Sequence, residues 1–326
     1  MFDLKKYRTV AYILVLVLII CIFRYNSPDR PRLRSEKSPR EMIFQPSTES
    51  FPISVIASRV KNNPPISDIF VRTWIGDGHW IIFMLRSIKK FVDPSAYRQI
   101  IITYNEKDET FFKSYLPYFD LPIKLVPLRD DPGWTRGLNN GGYRAQMYAK
   151  MNAFRFSDAD YFVHVDSDCI FKKPVNRSHF MDDQGRVYVK KLLFSSMPSP
   201  KFLIWKEPAE FMLKFPVPYE TMTRFPITFP RDLYIKTLHR ISNVHNTSVL
   251  KLMQSLETCN EFTTLGGYLI SLMPSHWVDL PETLEISDVM VQSWSWGGFK
   301  PEIVSYYECI LNAPHYSNCS LYHIPV

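Results

Sequence analysis

Glycine is scarce in this chain, 11 residues of 326, and neither G-x-G-x-x-G nor G-x-x-x-x-G-K-[S/T] occurs. Dinucleotide-binding and P-loop domains need glycines at those spacings so that backbone can approach phosphate, and the sequence argues against both. The five cysteines include no C-x-x-C pair, which argues against a zinc framework. No internal repeat is present. The net charge of +7 is not interleaved with aromatics in the globular part, so no nucleic-acid partner is expected. Its excess crowds Arg24, Arg30, Arg32, Arg34, Lys37 and Arg40, a proline-rich segment after an apolar run, where attraction to lipid headgroups explains it better. What the chain does have is 46% hydrophobic and 15% aromatic residues, which exclude general disorder. Its length supports a full core, as one large domain or two smaller ones.

Thr9–Phe23 is uncharged and almost wholly apolar, with Lys5, Lys6 and Arg8 before it and Arg24 after it. The run is shorter than the roughly 20 residues that span an average bilayer, and snorkelling of the flanking Lys and Arg extends its reach. Cys21-Ile22-Phe23-Arg24 offers no small-x-small cleavage site, so the sequence predicts an uncleaved signal anchor. Short spans suit thin early-secretory membranes. Charge counting alone would hold the bulk of the chain in the cytosol, because the C-terminal flank is the richer in Lys and Arg. The sequons at Asn176, Asn246 and Asn318 point to the lumen instead. The expectation is a single-pass type II protein of the Golgi or ER membrane. It would have a cytoplasmic tail over 1–8, the anchor over 9–23, a proline-rich basic stem over 24–66 and a lumenal domain over 67–326.

Within that domain strands and helices alternate. Strands are predicted over 67–74, 99–104 and 122–127. Helices are predicted over 80–92, with Ile81, Met84, Leu85, Ile88 and Phe91 on one stripe, and over 108–119. A polar loop over 129–142 leads into a helix over 143–156 with an inner stripe of Tyr143, Met147, Met151 and Phe154. Gln146 and Lys150, spaced i, i+4, share one side of it. The alternation predicts an α/β fold with a mainly parallel central sheet. Further on, a strand is expected over 187–194, proline-rich loops around Trp205 to Pro230, and helices over 231–242 and 260–272. The C-terminal part is rich in Trp, His and Gly without clear periodicity. Cys169 reads as a buried core residue. Cys309 with Cys319 is one local disulfide, and Cys259 with either of them is the alternative.

The chain is organised around Tyr161-Phe162-Val163-His164-Val165-Asp166-Ser167-Asp168. The aromatic and β-branched run reads as an inner strand of a parallel sheet, and α/β proteins bind ligands at the carboxyl ends of such strands. With alternating faces, Asp166 and Asp168 would point one way and Ser167 the other. Two carboxylates there form a hard-oxygen site for Mg²⁺ or Mn²⁺ and, through the metal, for a phosphate-bearing ligand.

The anchor and stem, the α/β first half, the helix Arg144-Ala-Gln146-Met-Tyr-Ala-Lys150 and the Asp166-Ser167-Asp168 stretch together resemble glycosyltransferases of the GT-A fold and DXD type. The likeness covers roughly residues 67–175. It implies a nucleoside-diphosphate sugar as donor, a glycan, glycoprotein or glycolipid as acceptor, and Mn²⁺ or Mg²⁺ as cofactor. Asp168, with Asp166, would hold the metal against the donor diphosphate, and Asp166 would also touch the ribose or sugar. Lys150 or Arg144 would add a cation, with Gln146 beside them, and Thr73 and Asn105 or Glu106 would contact the nucleoside. A C-terminal His would complete the metal site, with His276, His315 and His323 as candidates. An inverting reaction would also need a carboxylate base, for which Glu261 and Asp288 are best placed. Two other readings compete: a glycosyltransferase-like binding protein without turnover, and an aspartyl-phosphate phosphotransferase with Asp166 as nucleophile.

Overall fold

The computed structural model describes residues 65–129, 131, 133–134, 141–197, 200–223, 225–282, 284, 289–313 and 319. The expected anchor over 9–23 and nearly all of the stem over 24–66 lie outside them. Among the described residues no helix is long and apolar enough to cross a membrane.

The first half alternates as its periodicity predicts: Ser67–Arg72 (β1), Gly78–Phe91 (α1), Ile100–Asn105 (β2), Glu109–Tyr115 (α2), Ile123–Leu128 (β3), Gly142–Met151 (α3) and Tyr161–His164 (β4). Cys169–Phe171 (β5), Val187–Val189 (β6) and Leu192–Leu193 (β7) follow. Then come Lys206–Leu213 (α4), Tyr219–Glu220 (β8), Ile227–Pro230 (β9), Arg231–His245 (α5), Val249–Ser255 (α6) and Glu261–Leu272 (α7). The described part closes on Trp277–Asp279 (β10), Met290–Gln292 (β11) and Pro301–Asn312 (α8).

Among the described residues the largest sheet has the order β3-β2-β1-β4-β9. β1 runs parallel to both β2 and β4, whereas β9 pairs antiparallel with β4, Phe162 opposite Phe229. The fold is thus α/β with a mainly parallel sheet and one antiparallel edge. Ile69, Phe70, Val71, Ile100, Ile101, Ile102, Phe162 and Val163 are all buried, as strands covered on both faces must be. The chain lays down β1, β2 and β3 outward on one side, then returns to place β4 on the other side of β1. At that reversal the carboxyl ends of β1 and β4 lie side by side, and doubly wound sheets receive ligands in the crevice outside such a pair.

A second, smaller core lies beside this sheet. Trp80 and Phe83 of α1 meet Ile170 of β5 and Ile303, Tyr307, Ile310 and Leu311 of α8. Arg86 grips Glu308 with both guanidinium nitrogens, at 2.6 and 2.9 Å. Lys90 donates to the carbonyls of Ile310, Leu311 and Ala313, closing the C-terminal end of α8. Cys309 and Cys319 form a disulfide. Cys169 and Cys259 are buried and free.

The Asp166-Ser167-Asp168 stretch departs from expectation. β4 ends at His164, and residues 166–169 turn, with the Cys169 amide donating to the Asp166 carbonyl at 3.0 Å. Aspartate and serine favour turns because their short side chains bond nearby backbone. The strand alternation predicted for the two carboxylates is therefore replaced by a buried turn.

Candidate functional site

The crevice is lined from three directions. The loop after β1 brings Asp77, the turn after β4 brings Asp166, Ser167 and Asp168, and the segment between β11 and α8 brings Ser293 and Ser295. Ser167, expected to point away from the site, instead donates its hydroxyl to Asp77 Oδ2 at 2.7 Å. Asp77 also stands near the Ser295 and Trp74 side chains, which favour its ionised form. It precedes α1 yet makes no side-chain cap, so its carboxylate serves these tertiary partners instead.

Asp168 is fixed at both ends. Its Oδ2 accepts the Ser295 amide at 2.9 Å and its Oδ1 faces the Gln292 side chain at 3.4 Å. Its carbonyl accepts the Ser293 amide and the Tyr307 hydroxyl, both at 3.1 Å. Burial, together with the charges of Asp166 and Asp77, pushes the Asp168 carboxyl up to about 7, against the pull of the Ser295 and Gln292 donors. Burial likewise raises Asp77, with Asp166 adding to it and the hydroxyl donors opposing.

Lys150 projects from α3 into the cluster. Its ammonium stands 2.8 Å from Asp166 Oδ1 and 3.0 Å from Glu261 Oε1, and it lies over the Phe262 ring at 4.9 Å. The two contacts are ion pairs by distance and not aligned hydrogen bonds. Burial alone would lower the lysine pKa; the two carboxylates more than offset it, so the net shift is upward and the charge is retained. Burial raises the Glu261 carboxyl even with Lys150 beside it.

The structure does not treat all the residues predicted for a site alike. It gathers Lys150, Asp166, Asp168 and Glu261. Glu261, expected as a base, has a side chain 0% exposed and paired with Lys150. Its carboxylate holds the lysine and, in this structure, is not exposed to meet an acceptor hydroxyl. Arg144, expected as a cation for the diphosphate, is wholly buried. Its guanidinium donates to the carbonyls of Met253, Gln254 and Leu256, which satisfies the C-terminal end of α6. Gln146 is half-buried one turn before Lys150. Thr73 is buried at the end of β1, and Asn105, the last residue of β2, accepts from Arg72. His276 ends a short turn after α7 beside the Ser275 hydroxyl. Asp288, His315 and His323 lie outside the described residues.

Asp77, Ser167 and Ser295 were not singled out by sequence reasoning, and nothing local marks Asp77 as different from a turn aspartate. A separate cavity lined by Tyr188, Lys190, Thr221, Thr223, Ile227 and Phe229 lies across β9, and its lining includes none of the three aspartates.

Among the described residues no group of three or more His, Cys, Asp or Glu side chains is gathered to hold a metal by itself. The donors present are hard carboxylate oxygens of Asp166 and Asp168, the second raised by its burial and then by the charge of the first. That set suits a Mg²⁺ or Mn²⁺ ion that draws its remaining ligands from phosphate and water, and does not suit a site closed by protein alone.

No protein-family model matches the chain, and no curated protein matches it in sequence. Among solved structures, the crystal structure of S. aureus TarS 1–349 overlaps it with 15% identity and a TM-score of 0.24. The overlap covers 35% of this chain and 29% of that one, so the chain spans well under a third of that structure. An overlap of this size fixes neither fold nor activity.

Proposed function

We propose that this chain is a metal-dependent glycosyltransferase. It moves a hexosyl or N-acetylhexosaminyl group from a nucleoside-diphosphate donor to a glycan, glycoprotein or glycolipid. Residues 9–23 anchor it as a type II protein of the Golgi or ER membrane, with its domain in the lumen. The observation that carries the reading is the cluster Asp77, Asp166 and Asp168 in the crevice between the carboxyl ends of β1 and β4. The Gln146/Lys150 helix and Asp-Ser-Asp pattern, which resemble DXD-type enzymes, support it from the sequence side.

A bound Mg²⁺ or Mn²⁺ would supply positive charge to offset the negative charge developing on the departing nucleoside diphosphate. Asp166 and Asp168 are the residues to hold it. Ser295 and Gln292 aim the Asp168 carboxylate, and Lys150, gripped by Glu261, fixes Asp166. Lys150 and Glu261 act through Asp166 and are positioning residues. Their burial keeps water from the inner side of the turn, which strengthens every charge interaction within it.

Calorimetry of the full chain with UDP and GDP, with and without Mn²⁺, tests the reading. One nucleotide is expected to bind only when Mn²⁺ is present, and Asp168→Asn should remove that binding. If neither nucleotide binds under any condition, the reading fails.

A further inference from the structure

Of the seven tryptophans, six have described side chains, and their exposure differs. Trp80 is buried and Trp134, Trp205 and Trp277 are half-buried, but Trp74 is 52% exposed and Trp294 is 45% exposed. An indole left half in water forfeits a large hydrophobic gain, so two of them near one place call for a reason. Both border the aspartate crevice. Trp74 follows β1, three residues before Asp77. Trp294 stands between Ser293 and Ser295, whose amides hold the Asp168 carbonyl and carboxylate. Asp77 takes the Ser167 hydroxyl at 2.7 Å and the residue after that serine, Asp168, takes the Ser295 amide at 2.9 Å, so the two tryptophan-bearing segments meet the same turn.

Trp74 is also held in place. Its six-membered ring lies so close over Gly76 that a Cβ there would fall 2.2 Å from Cζ2. A ring seated on its own backbone in this way loses less freedom on binding than one standing clear of it. Beside the two segments stand the carboxylates of Asp77 and Asp168. A free phosphate would meet repulsion there. A neutral ring with one apolar C–H face and a rim of hydroxyl donors fits both the indoles and the carboxylates, and a pyranose has that chemistry.

We propose that Trp74 and Trp294 form a stacking platform for a pyranose ring at the rim of the crevice. The assignment of that ring to the acceptor side rests on the glycosyl-transfer reading above. Asp77 is the positioning residue of the platform, acting through Ser167 and the turn whose Asp168 holds Ser295.

The test is saturation-transfer NMR on the full chain with the methyl β-pyranosides of galactose, glucose, N-acetylglucosamine and xylose. Mn²⁺-dependent UDP and GDP binding is measured in parallel on the same samples. At least one pyranoside should receive saturation mainly at its axial C–H protons. Trp74→Ala and Trp294→Ala should each weaken it by about tenfold, the loss seen when a stacked ring is removed, while nucleotide affinity stays unchanged. Gly76→Ala, which pushes the indole aside without deleting it, should weaken pyranoside binding in the same direction. The platform is overturned if no pyranoside binds, if binding survives all three substitutions, or if they lower nucleotide affinity instead. Absence of nucleotide binding in the wild type, with pyranoside binding that depends on the tryptophans, would sink the transferase reading and leave the platform standing.

Discussion

Lys150 Nζ stands 3.0 Å from Glu261 Oε1 with both side chains withdrawn from water, the glutamate completely. The same ammonium reaches Asp166 at 2.8 Å, so one buried cation ties the first turn of α7 to the turn after β4. Two carboxylates against one lysine leave the cluster with surplus negative charge, which the third and fourth acids, Asp168 and Asp77, increase.

Removing the lysine should therefore be severe. Lys150→Met strands two carboxylates in a low-dielectric setting, at a cost of about 3–5 kcal/mol in urea unfolding. Lys150→Met combined with Glu261→Gln should recover part of that loss, because one stranded charge is gone. Equal stability of the single and double variants would show that Glu261 and Lys150 are not coupled.

Arg144 separates a helix-capping role from a donor-binding one. Arg144→Met leaves the carbonyls of Met253, Gln254 and Leu256 without their donor, and unfolding should show a loss of at least about 2 kcal/mol. Nucleotide affinity of the folded variant should match the wild type when measured by calorimetry. A selective loss of nucleotide binding with unchanged stability would return Arg144 to the donor site.

Asp77→Asn keeps the shape of the side chain and halves its accepting power. Ser167 can retain one oxygen, so the melting temperature should change little, by an amount equivalent to about 1 kcal/mol. Removing one negative charge beside Asp168 should weaken Mn²⁺-dependent nucleotide binding, read by calorimetry. An Asp77→Asn protein that binds as the wild type does would reduce Asp77 to a loop fastener.

The Arg86–Glu308 pair yields a pH prediction. The Arg86 hydrogen bonds hold the Glu308 carboxyl below the usual glutamate range, with partial burial opposing. A depressed folded-state value means that the stabilisation is present above the unfolded value, roughly 4.3, and is lost as pH falls through the folded one. Glu308→Gln should accordingly be less stable than the wild type at pH 7, by no more than about 1 kcal/mol for so exposed a pair. The two curves should converge on acidification, and a gap that stays constant down to pH 3 would contradict the ion-pair account.

Much of this fold is legible in the sequence because its first half obeys local rules. The stripe Ile81, Met84, Leu85 and Ile88 marks α1, and all four side chains are buried. The runs at 67–72 and 100–105 are apolar enough to be central strands and are. What escaped prediction was masked by proline or carried by distance. Lys206–Leu213 contains Pro208, which the first turn of a helix tolerates, and Ile227–Pro230 is framed by prolines that an edge strand tolerates. Pro301 opens α8 in the same way. In the site, Asp166, Asp168 and Lys150 announced themselves by type and spacing. Asp77 could not, because its partner Ser167 lies 90 positions away along the chain. The buried fates of Glu261 and Arg144 depended on α3 packing beside α6 and α7, and no local pattern encodes that.

The grip of Arg86 and Lys90 on α8 has a consequence for how the site can change. α1 starts directly after Asp77 and carries at its far end the lysine that closes α8, so the two helices form a frame of fixed length. Residues 293–300 bridge from β11 to that frame; Gly297 leaves room for an added side chain, whereas Gly298, at a φ of +82°, takes one only with strain. A substitution at 297 changes the bridge without disturbing how the frame is joined. In that sense the bridge is an interchangeable part on a permanent chassis.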